Sequence, residues 1–161
     1  MPSSIAHALT ALPVGAALLP KDTPRRVWIA GLACAVVPDI DAIGRPFVLG
    51  DLTFLGGHRA LTHSLPFAIA LSIVVVGSLC RHSTSTSECR WIAAFLFVAT
   101  ASHGLLDTLT IYGGGVALLA PFSMQRYTAP WHPLNSLNEI TWIWLPALVV
   151  FGIVALLRRN P

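Results

Sequence analysis

The chain has 161 residues, of which 55% are hydrophobic and only 11% are Asp, Glu, Lys or Arg, with a mean hydropathy of +0.71 and a formal net charge of +3. An average soluble domain carries roughly 25% charged residues, and a chain this short has too much surface per volume to hide so much apolar side chain inside a water-soluble globule. The composition excludes an ordinary soluble domain, a disordered tail and a disulfide-framed secreted module. It predicts one membrane-embedded domain over residues 1–161, an all-α integral membrane bundle of about five helices with irregular outer loops.

Apolar stretches run over 5–19, 27–38, 65–80, 91–101 with a continuation to 112, and 140–157. Backbone polar groups find no water in a bilayer, so the spanning segments must be helices. Pro20-Lys-Asp-Thr-Pro24 separates the first two stretches, and a loop rich in Gly and charge covers 39–63. The polar linker 81–88 follows the third stretch, and an irregular segment with Pro121, Pro130 and Pro133 follows the fourth. About 20 apolar residues cross a typical hydrocarbon core, so the first two stretches are short. Four spans with a re-entrant first pair are the alternative to five.

Ten basic residues and seven acidic ones are too few and too dispersed for a nucleic-acid partner, since no run of Lys/Arg exceeds two. Their placement sets orientation instead. Lys21, Arg25, Arg26, Arg81, Arg90, Arg158 and Arg159 fall on one side of a five-helix bundle, and Arg45, Arg59 and Arg126 on the other. The positive-inside rule then puts the seven-residue side of this multi-pass protein in the cytoplasm, with the N-terminus outside and the C-terminus inside. Cys34, Cys80 and Cys89 are an odd number without CxxC spacing, and Cys80 and Cys89 would face a reducing compartment, so all three are expected as free thiols.

The side with fewer basic residues collects most other ionisable groups: His7, Asp39, Asp41, His58, His63, His103, Asp107 and, in the outer loop, His132. Only His82 among the six histidines falls on the basic side. His103 and Asp107 lie four apart in an apolar helix and share one face. A buried charge there usually faces a cavity, a partner or an ion. In Pro38-Asp39-Ile40-Asp41, two carboxylates repel each other at the negative pole of a helix dipole, which a cation would relieve. His58 and His63 are too far apart for one helix face, so His58 must reach in from the loop. Thr62 or Ser64 could cap the next helix.

Imidazoles and carboxylates without thiolates suit Zn²⁺ first, with Mn²⁺ or Fe also possible, and the number of donors allows one or two ions. Bland alternatives stand beside each element: a His–Asp hydrogen bond between helices, Asp in a turn after a helix, interfacial histidines. Arg126, in Pro121-Phe-Ser-Met-Gln-Arg126, and Arg59 are candidate clamps for an anionic substrate, while Arg59 could instead salt-bridge an Asp.

The succession of His7, Pro38-Asp39-Ile40-Asp41, His58-Arg59-Ala-Leu-Thr62-His63-Ser64, His103-Gly-Leu-Leu-Asp107 and Pro121-Phe-Ser-Met-Gln-Arg126 resembles the bacterial inner-membrane metal-dependent hydrolases of the YdjM type, also described as LexA-binding inner-membrane-associated hydrolases. The His/Asp pattern is more loosely similar to zinc-dependent phospholipase C. The resemblance implies a metal-dependent hydrolase, with His7, Asp39, Asp41, His58, His63, His103 and Asp107 as metal ligands. The expectation is therefore a site toward the non-cytoplasmic face, where metal-activated water cleaves a phosphodiester or other ester of a membrane lipid or lipid-like substrate. Arg59 or Arg126 would hold the anion, and Asp39 or Asp41 would serve as general base. A small cation- or proton-handling transport protein and a non-catalytic membrane scaffold are the alternatives. Oligomeric state is not readable.

Overall fold

The computed structural model describes residues 3–42, 56–81, 85–110, 114–135 and 137–159. Arg45, His82 and the end of the expected fourth stretch at 111–112 lie outside them.

Five α-helices follow one another: α1 (Ser4–Leu18), α2 (Arg25–Val36), α3 (Leu65–Leu79), α4 (Thr86–Thr108) and α5 (Leu145–Arg159). A 3-10 turn, Val37–Ala42, continues α2, and a second, Leu61–His63, leads into α3. A π-turn, Ile140–Trp144, leads into α5. Among the described residues there is no strand, and two isolated bridges join Thr110 to Leu134 and Val116 to Tyr127.

Three helices begin on serine caps, which satisfy a backbone N–H that has no helical partner. Ser3 Oγ accepts from Ala6 N–H, Ser64 Oγ from Phe67 N–H, and Ser85 Oγ from Glu88 N–H, each at 3.2 Å. The last of these moves the start of α4 forward from the expected residue 91 to Thr86. The signal was legible as Ser85-x-x-Glu88, a capping spacing inside what reads as a polar linker.

The core is built on α4, which packs against α1, α2 and α3. Its Ile92, Phe95, Leu96 and Ala99 meet Ala11 and Leu19 from the first helical hairpin, with Val27, Cys34 and Ala35 of α2. Gly31 lets the Phe95 ring lie directly on the α2 backbone, where a Cβ would overlap it. The outer surface is apolar: Ile69, Ile73 and Val74 of α3, and Val149, Val150, Ile153, Leu156 and Leu157 of α5, are all exposed. Such a continuous apolar exterior suits lipid, not water. α4, with 23 residues, and the 19 residues Ile140–Arg158 are long and apolar enough to cross a membrane. Fifteen-residue α1 and α3 rise only about 22 Å, short of a hydrocarbon core of about 30 Å.

Antiparallel succession puts the start of α1, the end of α2, the start of α3 and the end of α4 at one end of the bundle. The opposite end gathers Lys21, Arg25, Arg26, Arg81, Arg90 and Arg158. There the structure corrects the expectation of free thiols. Cys80, capping α3, and Cys89, in the first turn of α4, form a disulfide with Cα atoms 6.2 Å apart, and Cys34 alone is free. The sequence argument rested on compartment, whereas proximity is set by the packing of α3 against α4, whose ends carry the two cysteines.

Gly31→Ala should cost about 1–3 kcal/mol, because the new methyl must displace the Phe95 ring. Gly77→Ala, whose Cβ would meet nothing within 4 Å, should be neutral or slightly stabilising. Thermal unfolding of both variants in the same detergent checks the contrast.

Candidate metal centre

Seven of the sequence-selected side chains converge at the end of the bundle away from the basic cluster. His7 comes from the first turn of α1, Asp39 and Asp41 from the 3-10 turn after α2, and His63 from the 3-10 turn before α3. His58 reaches in from the preceding loop. His103 and Asp107 project from successive turns of α4. Exposure falls to 3% or less for His7, Asp41, His63, His103 and Asp107. Asp39, whose side chain is 23% exposed, is the open edge of the cluster.

Donor and acceptor chemistry fixes how the imidazoles are held. His103 Nδ1 lies 2.7 Å from the Ala35 carbonyl, which can only accept, so Nδ1 carries the proton. His58 Nδ1 donates to Asp41 Oδ1 at 2.7 Å. His63 Nδ1 lies 3.2 Å from Asp41 Oδ2 and 3.1 Å from Thr62 Oγ1, whose own hydroxyl donates to Asp41 Oδ2 at 2.8 Å. The Arg59 backbone N–H adds a further bond to the same oxygen at 3.2 Å. Asp41 is thus a hub that aligns two imidazoles by Nδ1 and leaves each Nε2 turned away.

The Nε2 atoms of His63 and His103 face carboxylates. His103 Nε2 is 3.3 Å from Asp39 Oδ1, and His63 Nε2 is 3.9 Å from that oxygen and 3.5 Å from Asp107 Oδ2. His7 Nε2 is 3.6 Å from Asp107 Oδ1, with its ring stacked on His103 at a centroid distance of 3.6 Å. His63 Nε2, His103 Nε2 and both Asp107 oxygens are buried without a hydrogen bond. With Nδ1 protonated, neutral His63 and His103 present lone pairs to oxygens that also carry only lone pairs. Buried polar atoms normally find partners, and a positive charge among them resolves the conflict. Three overlapping groups have donor atoms within 4.8 Å of one another: His7/His103/Asp107, Asp39/His63/His103 and Asp41/His58/His63. These residues could hold a metal ion.

Burial pushes both turn carboxylates toward the neutral form, but their partners outweigh it. His103 in its protonated form and Ser4, whose hydroxyl donates to Asp39 Oδ2 at 2.8 Å, hold Asp39 well below the usual carboxylate range. His58, His63 and Thr62 do the same for Asp41. Burial also lowers His63, against the pull of Asp41, which favours the neutral, ligating imidazole. In a 3-10 turn, residues two apart point to different sides, so Asp39 serves α1 and α4 while Asp41 serves the 58–63 segment.

The two arginines have different surroundings. Arg59 is fully buried, with its backbone in the left-handed region at φ 64°, and its Nε lies 2.9 Å from Asp107 Oδ2. It is the salt-bridge partner that the sequence left as an alternative to a clamp. Arg126 donates from Nη1 to the Gly115 carbonyl at 3.0 Å and from Nη2 to the His58 carbonyl at 3.2 Å. It braces the 114–135 loop over the segment carrying His58. Ala117 N–H to Arg59 carbonyl and Leu65 N–H to Leu118 carbonyl, both 2.9 Å, tie down the same loop. His132 is exposed and stands outside the cluster. Sequence reasoning missed the Ala35 carbonyl and Ser4, and took Thr62 only as a helix cap. Ser64 holds that cap instead.

An all-helical fold with an apolar exterior and a buried His/Asp cluster at one end defines a membrane-embedded protein with a potential metal centre. The chain belongs to the YdjM inner membrane protein family, whose description matches residues 1–160. It is also similar to the inner membrane protein YbcI of Escherichia coli (strain K12), with 33% identity over 176 aligned positions that cover 99% of this chain and all of the relative. No solved structure matches at a significant level.

If Arg126 is a brace, Arg126→Ala should speed amide exchange at residues 58–60 and 114–118 by about ten-fold or more, the loss expected for hydrogen bonds to a charged group. Hydrogen–deuterium exchange with mass spectrometry checks this. Unchanged protection would mean that the side chain does not hold the loop.

Proposed function

We propose that this protein is a metal-dependent hydrolase of the inner membrane, acting on a phosphodiester or other ester of a lipid-like molecule. The observation that carries the reading is the set of facing lone pairs on Asp39, His63, His103 and Asp107, all but Asp39 buried, with Arg59 beside Asp107 as their one cationic neighbour. His7 completes that donor set. A divalent cation held there, Zn²⁺ first by donor type, would acidify water and polarise a phosphoryl or carbonyl oxygen.

In this reading the donors divide by role. Asp41 has its oxygens committed to His58, Thr62, His63 and Arg59 N–H, so it acts through the imidazoles, as carboxylates do in the outer shell of metal sites. A second ion on the Asp41/His58/His63 group would have to break those bonds, which favours one ion. Arg59 balances the charge of Asp107. Asp39 is the carboxylate that substrate can reach. Beside it opens a cavity of about 420 Å³ lined by Ala33, Val36, Val37, Ile40 and Ala42. An apolar approach to a polar centre favours a substrate with a hydrocarbon part. Polar groups are concentrated at one end rather than through the membrane depth, which disfavours the transport alternative.

The excess of basic residues at the opposite end supports a centre facing away from the cytoplasm. The Cys80–Cys89 disulfide lies at that basic end, and persistent disulfides belong to oxidising compartments. A topology reporter fused after residue 159 discriminates: a cytoplasmic signal fits the proposed sidedness, and a periplasmic one reverses it.

Purified protein should retain about one equivalent of a divalent transition metal, and His103→Ala with Asp107→Ala should lose it while still inserting in the membrane. Asp41→Asn should keep the metal but bind it about 10–100-fold more weakly, as outer-shell changes do. Elemental analysis and competition with a chelator read both. Phospholipid hydrolysis that depends on His103 supports the catalytic reading. A fully metallated protein that cleaves no phosphodiester or ester would refute it, leaving a metal-binding scaffold.

A further inference from the structure

The geometry points to a second, separate site at the opposite end of the bundle: a groove between α1, α2 and α5 that seats an anionic phospholipid. The groove, about 380 Å³, is lined by Ala16, Lys21, Trp28, Phe151, Ala155 and Arg158. Its floor is apolar. Trp28 and Phe151 meet edge to face with centroids 6.4 Å apart, and Gly15 lets the Trp28 ring lie close against α1. Its mouth carries two cations and no carboxylate. Asp22, next to Lys21 in sequence, lines a different cavity with Pro24 and Glu88.

Arg158 is fixed in place. Its Nη1 donates to the Ala16 carbonyl at 2.6 Å and the Leu19 carbonyl at 2.7 Å, which are terminal carbonyls of α1. That anchoring leaves the Nε–Nη2 edge of the guanidinium, the fork that matches two phosphate oxygens. Lys21, on the α1–α2 turn, supplies a mobile point charge beside it. Two like charges over one groove repel, and an anion between them removes the repulsion. The floor accepts hydrocarbon while the rim accepts phosphate, and basic pockets between membrane helices bind acidic headgroups on this logic. The neighbouring α5 surface, Val149 to Leu157, is already apolar and faces lipid, so an acyl chain continues along it without new exposure. Charge complementarity selects an acidic phospholipid over a zwitterionic one.

The test is native mass spectrometry of the full chain in detergent, titrated with phosphatidylglycerol or phosphatidylcholine. Phosphatidylglycerol should bind more tightly than phosphatidylcholine. Lys21→Ala should weaken phosphatidylglycerol about five-fold, the effect of one basic residue near an anionic headgroup, and Ala155→Trp, which fills the groove but keeps both cations, should remove the tight adduct. Arg158 is left intact because it also caps α1. Equal binding of the two lipids, or phosphatidylglycerol binding unchanged in Lys21→Ala, overturns the proposal. Displacement of the adduct by millimolar inorganic phosphate alone also overturns it, since the site would then hold an ion without an acyl chain.

Discussion

Four atoms that accept while each imidazole carries its single proton on Nδ1, Asp39 Oδ1, Asp107 Oδ2, His63 Nε2 and His103 Nε2, face one another at 3.3–3.9 Å in a region almost closed to water. Arg59, with Nε 2.9 Å from Asp107 Oδ2, offsets one of them, and the rest call for a further positive charge, whether a proton on an imidazole or a metal ion. Everything else at this end of the bundle serves to keep those atoms facing one another. The Ala35 carbonyl turns His103, Asp41 turns His63 and His58, Ser4 holds Asp39, and Arg59 stands against Asp107. A cluster held only as a polar core would be expected to pair its donors and acceptors directly. Here the Nδ1 atoms of His58, His63 and His103 are paired and their Nε2 atoms are not.

The bundle makes this possible by an unequal division of labour among its helices. α4 is long and central, and it carries His103 and Asp107 at a depth where neighbours on three sides exclude water. α1 and α3 are too short to cross a full hydrocarbon core. They bring the start of α1 and the 3-10 turn before α3 to the level of the α4 donors, so the cluster sits inside the end of the bundle with Asp39 at its rim. Gly104 is part of the same construction, because a Cβ there would run into the His63 carbonyl. The close approach of α4 to that turn therefore requires glycine. The two ends of the molecule differ in chemistry: one concentrates carboxylate and imidazole in its interior, the other places basic side chains around an aromatic groove.

Much of this was legible in residue order. The five helices followed from apolar stretches and their punctuation, and the membrane assignment followed from composition, while the inner membrane came with the family resemblance. The His/Asp cluster was legible because a polar residue in an apolar helix is costly, so His103 and Asp107 marked themselves, and the antiparallel succession placed His7, Asp39, Asp41, His58 and His63 at the same end. The start of α4 was misplaced because Ser85 and Glu88 read as linker polarity when their spacing is a cap.

Sequence by itself determined the class of the protein and the inventory of its donors, because hydrophobicity and helical period are local properties summed along the chain. The tertiary structure alone decided which nitrogen of each imidazole is turned inward, since that depends on a carbonyl 68 residues away in the case of His103. It separated Asp39 from Asp41, two residues apart and chemically identical, by giving one an open edge and the other a closed set of donors. It made Arg126 a brace, Arg59 a buried counter-charge, and Cys80 and Cys89 a pair. Each of these is a relation between distant segments, and proximity of that kind is settled only when the helices pack.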